Sequence, residues 1–329
     1  MIDIMIHKLM SWLNDNSDIS SNMFDRFMII IYRLFYLSIR ITLGTILGKE
    51  RRNKSYVFKK FQRGNYVNPS FLSKIYFYKL LRFFGYNKKT VEVYIRKFDY
   101  KILCPLNEVD YISLISREES IINRFNPQES DVVVDIGAHL GRYTIISSKR
   151  VTNKGKVISI EANPEVFQTL IENIRLNRLD NVLALNCAAY SEKKQISFFV
   201  KGDNDLKNDH FGTLMENIGD FSSKGLKKVI NVMANTLDNI LLENDIKENN
   251  VKWIKIDVEG AEFEVLKGAK RTLSKSTNLS LLIEIHKLSN GGTHYDDIKI
   301  FLNNLGFEIE YQEIHDTGEA HVIFSRISN

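Results

Sequence analysis

The sequence is poor in the residues that mark disulfide frameworks and long linkers. Its 329 residues include two cysteines and four prolines. Cys104 and Cys187 are far apart and match no metal-binding or redox spacing, so we expect no disulfide framework and a reducing, cytoplasmic setting. The apolar N-terminus is interrupted by Asp3 and lacks a small-residue cleavage site, so it does not predict a signal peptide.

A long uncharged apolar run is also missing, which argues against a membrane-spanning helix. The nearest candidate is the segment 22–48, which has the pattern of one long helix. Its arginines, Arg26, Arg33 and Arg40, recur every seven residues and so form one stripe. Their cost in a bilayer nearly cancels the gain from the apolar residues. We expect this helix to pack within the protein or in a homo-oligomer, with peripheral membrane contact as the alternative.

Charge divides the chain into two parts. Residues 1–101 carry 19 Lys and Arg against 7 Asp and Glu, whereas residues 102–329 carry 26 against 33. We therefore predict a mainly helical, basic N-terminal region over 1–101, with a membrane-surface, oligomerisation or partner role, and a second domain over 102–329. A solvated basic surface is the competing interpretation. The aromatic, lysine-rich stretch 71–100 is more typical of a core than of base stacking, so nucleic acid is not the expected partner.

The pattern beyond residue 102 is that of an α/β protein. Short apolar runs of strand length alternate with amphipathic segments of helical spacing. The predicted strands cover 132–136, 157–160, 182–187, 253–256 and 281–285. One helix has clear start signals, because Asn163 is a good N-cap and Pro164 suits the first helical position. Such βαβ units predict a Rossmann-like parallel sheet with helices on both faces.

The first of these strands leads into a glycine-containing turn, Asp135-Ile-Gly137-Ala138-His139-Leu140-Gly141. Glycine lets the backbone pass close to a ligand, and we expect the site at the carboxyl edge of the sheet, where its winding reverses. Asp135 is expected to accept a hydrogen bond from a cationic amine, directly or through water. His139 stands where a dinucleotide fingerprint needs its second glycine, which counts against a nicotinamide-dependent oxidoreductase.

A second acid supports a nucleoside-binding site. Glu161 ends the next strand, twenty residues after Gly141, where a carboxylate can bridge the two hydroxyls of a ribose. The alternative is a charge that favours the start of the helix at Pro164.

Four segments in the right order resemble the FkbM family of methyltransferases. They are VVVDIGAHLGRYT (132–144), ISIEANPEVFQTLIENIRLN (158–177), WIKIDVEGAEFEVLKGA (253–269) and LLIEIH (281–286). VINVMANTLDNIL (229–241) is also similar to a family segment. The resemblance covers about residues 105–329 and leaves out residues 1–100.

The resemblance implies a class I methyltransferase sheet and S-adenosylmethionine (SAM)-dependent methyl transfer, usually to a hydroxyl of a sugar, a glycan or another small metabolite. It places Asp135, Gly137 and Gly141 along the methionine part of SAM, Glu161 at the ribose, and Ala188 with Ala189 beside the adenine. Ala138, His139 and Ala162 complete the expected cofactor-binding set. Two departures are His139, where members often carry Asn, and Glu192, where Asp is expected after Ser191.

Methyl transfer to a hydroxyl needs a group that removes the proton. The candidates at strand ends are Asp257, Glu259 and His286, and the unperturbed pKa of a histidine suits proton removal near neutrality. Asp257 and Glu259 could also hold the acceptor or, with Glu284 and His286, a divalent metal, which the sequence leaves open. The alternatives are a helix cap for Glu259 and a loop hydrogen bond for His286.

Two further expectations concern neighbouring segments. Glu262 and Glu264 have the pattern of ordinary acids in a first helical turn. Residues 201–228 are either an insertion over the acceptor site or an exposed polar loop. The competing function is a SAM-binding or inactive adaptor that uses its basic N-terminal region to bind a membrane or a partner.

Overall fold

The computed structural model describes residues 90–105, 118–201, 212–214, 226–288, 290–315 and 318–326. They belong to one compact unit, Lys89–Asn329. The helix predicted at 22–48, the rest of the basic region before residue 90 and most of the segment 201–228 lie outside the described residues. Within the described ranges, no helix combines the length and the hydropathy that a membrane crossing needs.

Thirteen strands are described in this unit. They are β1 (Thr90–Ile95), β2 (Tyr100–Pro105), β3 (Val132–Ile136), β4 (Lys156–Ile160), β5 (Val182–Leu185), β6 (Ala188–Ala189), β7 (Lys194–Lys201), β8 (Gly212–Leu214), β9 (Leu226–Asn235), β10 (Val251–Ile256), β11 (Ser280–Ile285), β12 (Phe307–Ile314) and β13 (Ala320–Arg326).

Seven α-helices are described between the strands. They are α1 (Glu119–Arg124), α2 (Arg142–Val151), α3 (Pro164–Leu176), α4 (Leu237–Glu243), α5 (Glu262–Lys267), α6 (Lys270–Lys275) and α7 (Tyr295–Asn303). Helix α3 begins as predicted, because the Asn163 side chain accepts a hydrogen bond from the backbone N–H of Glu165 and Pro164 takes the first position.

The central sheet has seven strands in the order β12-β13-β11-β10-β3-β4-β5. Strands β11, β10, β3, β4 and β5 pair in parallel, which confirms the predicted parallel α/β sheet. At one edge, β13 runs antiparallel to β11, and β12 runs antiparallel to β13. From β3 the chain proceeds to β4 and β5 on one side and then returns to β10 on the other. The winding therefore reverses between β3 and β10, where ligands of such sheets bind.

Helices cover both faces of this sheet. On one face, Ile254 and Ile256 of β10 pack in a core with side chains from α4 to α7, such as Val265 and Ile298. The alternate residue Trp253 points to the opposite face. There the rings of Trp253 and Phe125, which follows α1, meet edge to face at 4.9 Å. The predicted layered arrangement is thus confirmed.

Two features of the fold were not predicted. A second sheet forms beside the first, in the order β6-β9-β7-β8. A hairpin of β1 and β2 begins within the region predicted to be mainly helical, and the expected domain boundary at 101/102 falls inside it. The hairpin belongs to the compact unit, because the backbone N–H of Leu103 donates to the Asn173 side chain of α3. Residues 90–101 are therefore part of the second domain, which corrects the boundary.

Candidate active site

The turn after β3 passes directly over the end of β10. The backbone N–H groups of Gly137 and Ala138 donate to the Ile160 carbonyl, at 2.9 and 3.0 Å. Gly137 has a φ of +72°, and a Cβ atom there would lie 1.8 Å from the Asp257 carbonyl oxygen. Only glycine allows this approach, because the Cβ atom of any other residue would collide with the backbone of Asp257, which follows β10. Glycine at this position therefore lets the turn after β3 pack directly against the residues that follow β10.

The second half of the turn starts helix α2. Gly141 has a φ of +90°, and a Cβ atom there would lie 2.6 Å from Leu170. His139 adopts a φ of +52°. Asn, Asp and His tolerate this left-handed region better than other side chains. The backbone conformation accounts for both the histidine found here and the asparagine expected from the resemblance.

Glu161 joins the end of β4 to this turn. Its carboxylate accepts hydrogen bonds from the backbone N–H groups of His139 and Asn163, both at 2.8 Å. Burial raises the pKa of Glu161 to about 7, although these two hydrogen bonds oppose the shift. Each carboxylate oxygen has a second lone pair, so the group can accept two further hydrogen bonds. A ribose with two adjacent hydroxyls fits this donor–acceptor pattern.

Asp135 lies beneath the turn and is fully buried. One of its oxygens accepts from the Thr144 hydroxyl at 2.6 Å, and the other lies 3.5 Å from the Lys255 ammonium. The carboxylate thus supports the turn from below. The role predicted for Asp135, as a partner of a cofactor amine, stays a prediction.

The three alanines of the predicted cofactor set line the same carboxyl edge of the sheet. Ala138 is buried against Leu170 of α3. Ala162 and Ala188 pack together in a small apolar cluster with Phe198 of the second sheet. The fold therefore gathers all eight predicted cofactor residues at the ends of β3 and β4 and in β6, just after β5. Their contacts with a cofactor stay predictions.

The three predicted catalytic residues converge at the ends of β10 and β11. The Nε2 atom of His286 lies 3.7 Å from Asp257, 3.6 Å from Glu259 and 3.7 Å from Glu284, measured to the nearest carboxylate oxygen. Glu259 has a φ of +54°, which places a non-glycine residue in the strained left-handed region. Asp257 lies beside the turn at Gly137, so this cluster adjoins the predicted cofactor site.

The same cluster offers ligand atoms for a metal ion. Single atoms of Asp257, Glu284 and His286 lie within 4.8 Å of one another. Carboxylate oxygens with an imidazole nitrogen suit several divalent ions. Metal dependence stays open, as it was from the sequence.

Glu262 is part of this site, contrary to the expectation of an ordinary helix acid. It is fully buried, and its Oε1 atom lies 2.7 Å from Nδ1 of His286. The same oxygen accepts from the backbone N–H of Gly260 at 2.8 Å. Glu264 does match the expectation, since it is partly exposed and pairs with Lys267. In the sequence, nothing distinguishes Glu262, which is buried against His286, from Glu264, which is partly exposed.

The electrostatics of the cluster differ from the sequence-based expectation. Burial lowers the pKa of His286, but Glu259 and the hydrogen bond to Glu262 outweigh it, so the pKa is well above its usual value. The premise of an unperturbed histidine was therefore wrong. Burial raises the pKa of Glu259 to about 7, with His286 opposing the shift. Burial also raises the pKa of Asp257, but Lys255 and His286 lower it more.

Other charged residues at the site were missed from the sequence. His321 of β13 has its Nε2 atom 3.2 Å from Glu284. Arg142, at the start of α2, forms a buried ion pair with Glu118, which also accepts from the Tyr143 hydroxyl at 3.2 Å. These residues come from segments distant in sequence, so no local pattern could connect them.

Gly137→Ala should destabilise the protein far more than Gly306→Ala. Both glycines have a positive φ, which costs other residues roughly 1–2 kcal/mol, but nothing lies within 4 Å of a Cβ at Gly306. Urea denaturation of the two variants separates backbone strain from the collision with Asp257. Equal losses of free energy of unfolding would contradict the close approach described above.

Glu161→Gln should gain stability relative to the wild type as the pH rises. The folded state keeps the Glu161 proton up to about pH 7, whereas the unfolded chain releases it near 4.5. Over that window the wild type therefore loses stability, by at most about 3 kcal/mol, and the glutamine does not. Denaturation at pH 5 and pH 8 measures the difference. A pH-independent difference would show that the Glu161 pKa is unshifted.

Comparison with known proteins identifies a related family. A family model described as the methyltransferase FkbM domain matches residues 135–309, and a second, for protein-L-isoaspartate(D-aspartate) O-methyltransferase, matches residues 51–190. Hexuronic acid methyltransferase AglP of Haloferax volcanii is 29% identical over 164 residues, which are 48% of this chain and 57% of AglP. Methyltransferase sdnD of Sordaria araneosa is 29% identical over 162 residues, 44% of this chain and 62% of sdnD.

The chain spans about three-fifths or less of the curated relatives that it matches. Among solved structures, the methyltransferase FkbM from Methylobacillus flagellatus KT is 19% identical, with a TM-score of 0.41 over 60% of this chain and 44% of that one. The FkbM domain match takes in more than half of the sequence, including the turn, Glu161 and the carboxylate cluster. The chain therefore belongs to the FkbM methyltransferase family.

Proposed function

We propose that this protein is a SAM-dependent methyltransferase that methylates a hydroxyl oxygen of a sugar, a glycan or another small metabolite. The observation that carries the proposal is the direct junction of the Gly137 turn, Glu161 and the Asp257 cluster at one edge of the sheet. Family membership supports the methyl transfer, and the name of the relative AglP supports a sugar acid as the kind of acceptor.

The residues fit SAM at three places. The backbone of the turn 137–141 would follow its methionine part, Glu161 would accept from its ribose hydroxyls, and the backbone beside Ala188 would border its adenine. SAM supplies an electrophilic methyl group, so the protein has to orient the acceptor, exclude water and take up one proton.

Within the cluster, we assign Glu259 as the base that takes up the proton of the acceptor hydroxyl. A base works best when its pKa is near the working pH, and the pKa of Glu259 is about 7. Asp257, with its low pKa, is a weak base that suits holding the acceptor hydroxyl. His286, kept protonated by its acidic neighbours, balances their charge. Glu262 orients the ring of His286 through the Nδ1 contact.

Isothermal titration with S-adenosylhomocysteine (SAH) tests the proposal, and we expect binding by the full chain. At pH 8, where Glu161 is ionised, Glu161→Gln should weaken it by about tenfold or more, since hydrogen bonds to a charged group are worth about 1.5–3 kcal/mol. Glu172→Gln, on the exposed face of α3, is the matched control and should bind as the wild type does. Absence of SAH binding would refute the proposal, and NADH binding in its place would favour the oxidoreductase.

Glu262→Gln should lower kcat on the order of 10²-fold without changing SAH affinity, because a displacement of about 1 Å among the groups around the reacting atoms can cost that much. The variant removes a charge that orients the His286 ring and helps to raise its pKa. Glu264→Gln is the control in the same helical turn and should keep full activity. A methyl-transfer assay with tritiated SAM and glucuronic acid, a hexuronic acid, as the first acceptor measures both. Equal rates for the two variants would remove Glu262 from the mechanism.

The adaptor hypothesis concerns the basic N-terminal region, of which residues 1–89 lie outside the described residues. Contact with a membrane surface, homo-oligomerisation and partner binding through that region stay predictions.

A further inference from the structure

Lys255 is a cation inside the central strand of the sheet. Its neighbours Ile254 and Ile256 are core residues, and Lys255 itself is only 4% exposed. It points to the opposite face, towards helix α2, where its ammonium lies 5.3 Å from the centre of the Tyr143 ring. Burying an ammonium costs several kcal/mol unless its surroundings compensate, so the position demands an explanation.

The ammonium reaches three acceptors from three parts of the site. It donates to the Gly137 carbonyl at 2.9 Å, and it lies 3.0 Å from Asp257 Oδ2 and 3.5 Å from Asp135 Oδ1. A lysine has three N–H donors and no acceptor. The Gly137 carbonyl and Asp257 lie at hydrogen-bonding distance, and Asp135 adds a longer ion pair. The parallel register of β3 and β10 pairs Lys255 with Asp135, which makes the arrangement a product of the sheet.

These contacts link the two halves of the site. The Gly137 carbonyl belongs to the turn that would carry the cofactor, and Asp257 belongs to the cluster that would hold the acceptor. Because Lys255 binds Oδ2 of Asp257, the other oxygen, Oδ1, is the one that lies closest to His286, at 3.7 Å. One ammonium thus fixes both the peptide plane of the turn and the rotation of the carboxylate.

We propose that Lys255 is a positioning residue that fixes the cofactor turn against Asp257. The inference rests on the proposed function and extends it. An in-line methyl transfer depends on alignment of donor and acceptor, and displacement by about 1 Å can cost on the order of 10²-fold in rate. Lys255 acts through the turn and through Asp257 and does not itself touch the reacting atoms.

The test compares SAH affinity in Lys255→Met, Lys255→Arg and Lys252→Met by isothermal titration. Lys255→Met should weaken SAH binding by about tenfold, the loss expected when a hydrogen bond from a charged group to the turn disappears. Lys255→Arg should weaken it less, because it keeps the charge but spreads its donors over a planar fork. Lys252→Met, three residues earlier on the same strand and partly exposed, should bind as the wild type does.

Thermal unfolding of each variant separates positioning from stability alone. A purely structural lysine would lower Tm and leave SAH affinity unchanged well below Tm. Wild-type affinity in folded Lys255→Met overturns the inference. If that variant does not fold, Lys255→Arg decides, and unchanged affinity there overturns it as well. Failure of the wild type to bind SAH would instead refute the proposed function, so the two failures are distinguishable.

Discussion

The close approach of Gly137 to the carbonyl of Asp257 is the constraint on which the site depends. It exists because β3 and β10 pair in parallel and both end at the point where the winding of the sheet reverses. A parallel pair brings its two carboxyl ends to one edge, so a turn that follows one strand and an acid that follows the other become neighbours. Because glycine has no Cβ atom, the turn at Gly137 can then contact the backbone of Asp257 directly.

Several buried carboxylates lie around this junction, and their negative charge needs cations nearby. Lys255, His286 and His321 supply the cations, each within 3.7 Å of a carboxylate oxygen. The outcome is a set of shifted pKa values in which Glu161 and Glu259 both titrate near neutrality. Perturbed acids of this kind cluster at sites that bind or react, because burial and neighbouring charges there match the pKa of each group to its task.

Much of this arrangement could be predicted from local pattern. Apolar runs gave the parallel strands, Asn163 and Pro164 gave the start of α3, and the spacing of Gly137 and Gly141 gave the turn. Lys255 was visible as a charge within an apolar strand, yet its partners depend on strand register, which the sequence does not state. Glu262 and His321 were missed for the same reason, and the pKa of His286 follows from neighbours that only the fold assembles.

A crystal structure of the full chain with SAH tests the central claim most directly. The account predicts the ligand along residues 137–141, with both ribose hydroxyls within hydrogen-bonding distance of Glu161 and the sulfur facing the cluster of Asp257 and Glu259. A ligand bound elsewhere on the protein, or a turn closed to it by the His139 side chain, would contradict the account.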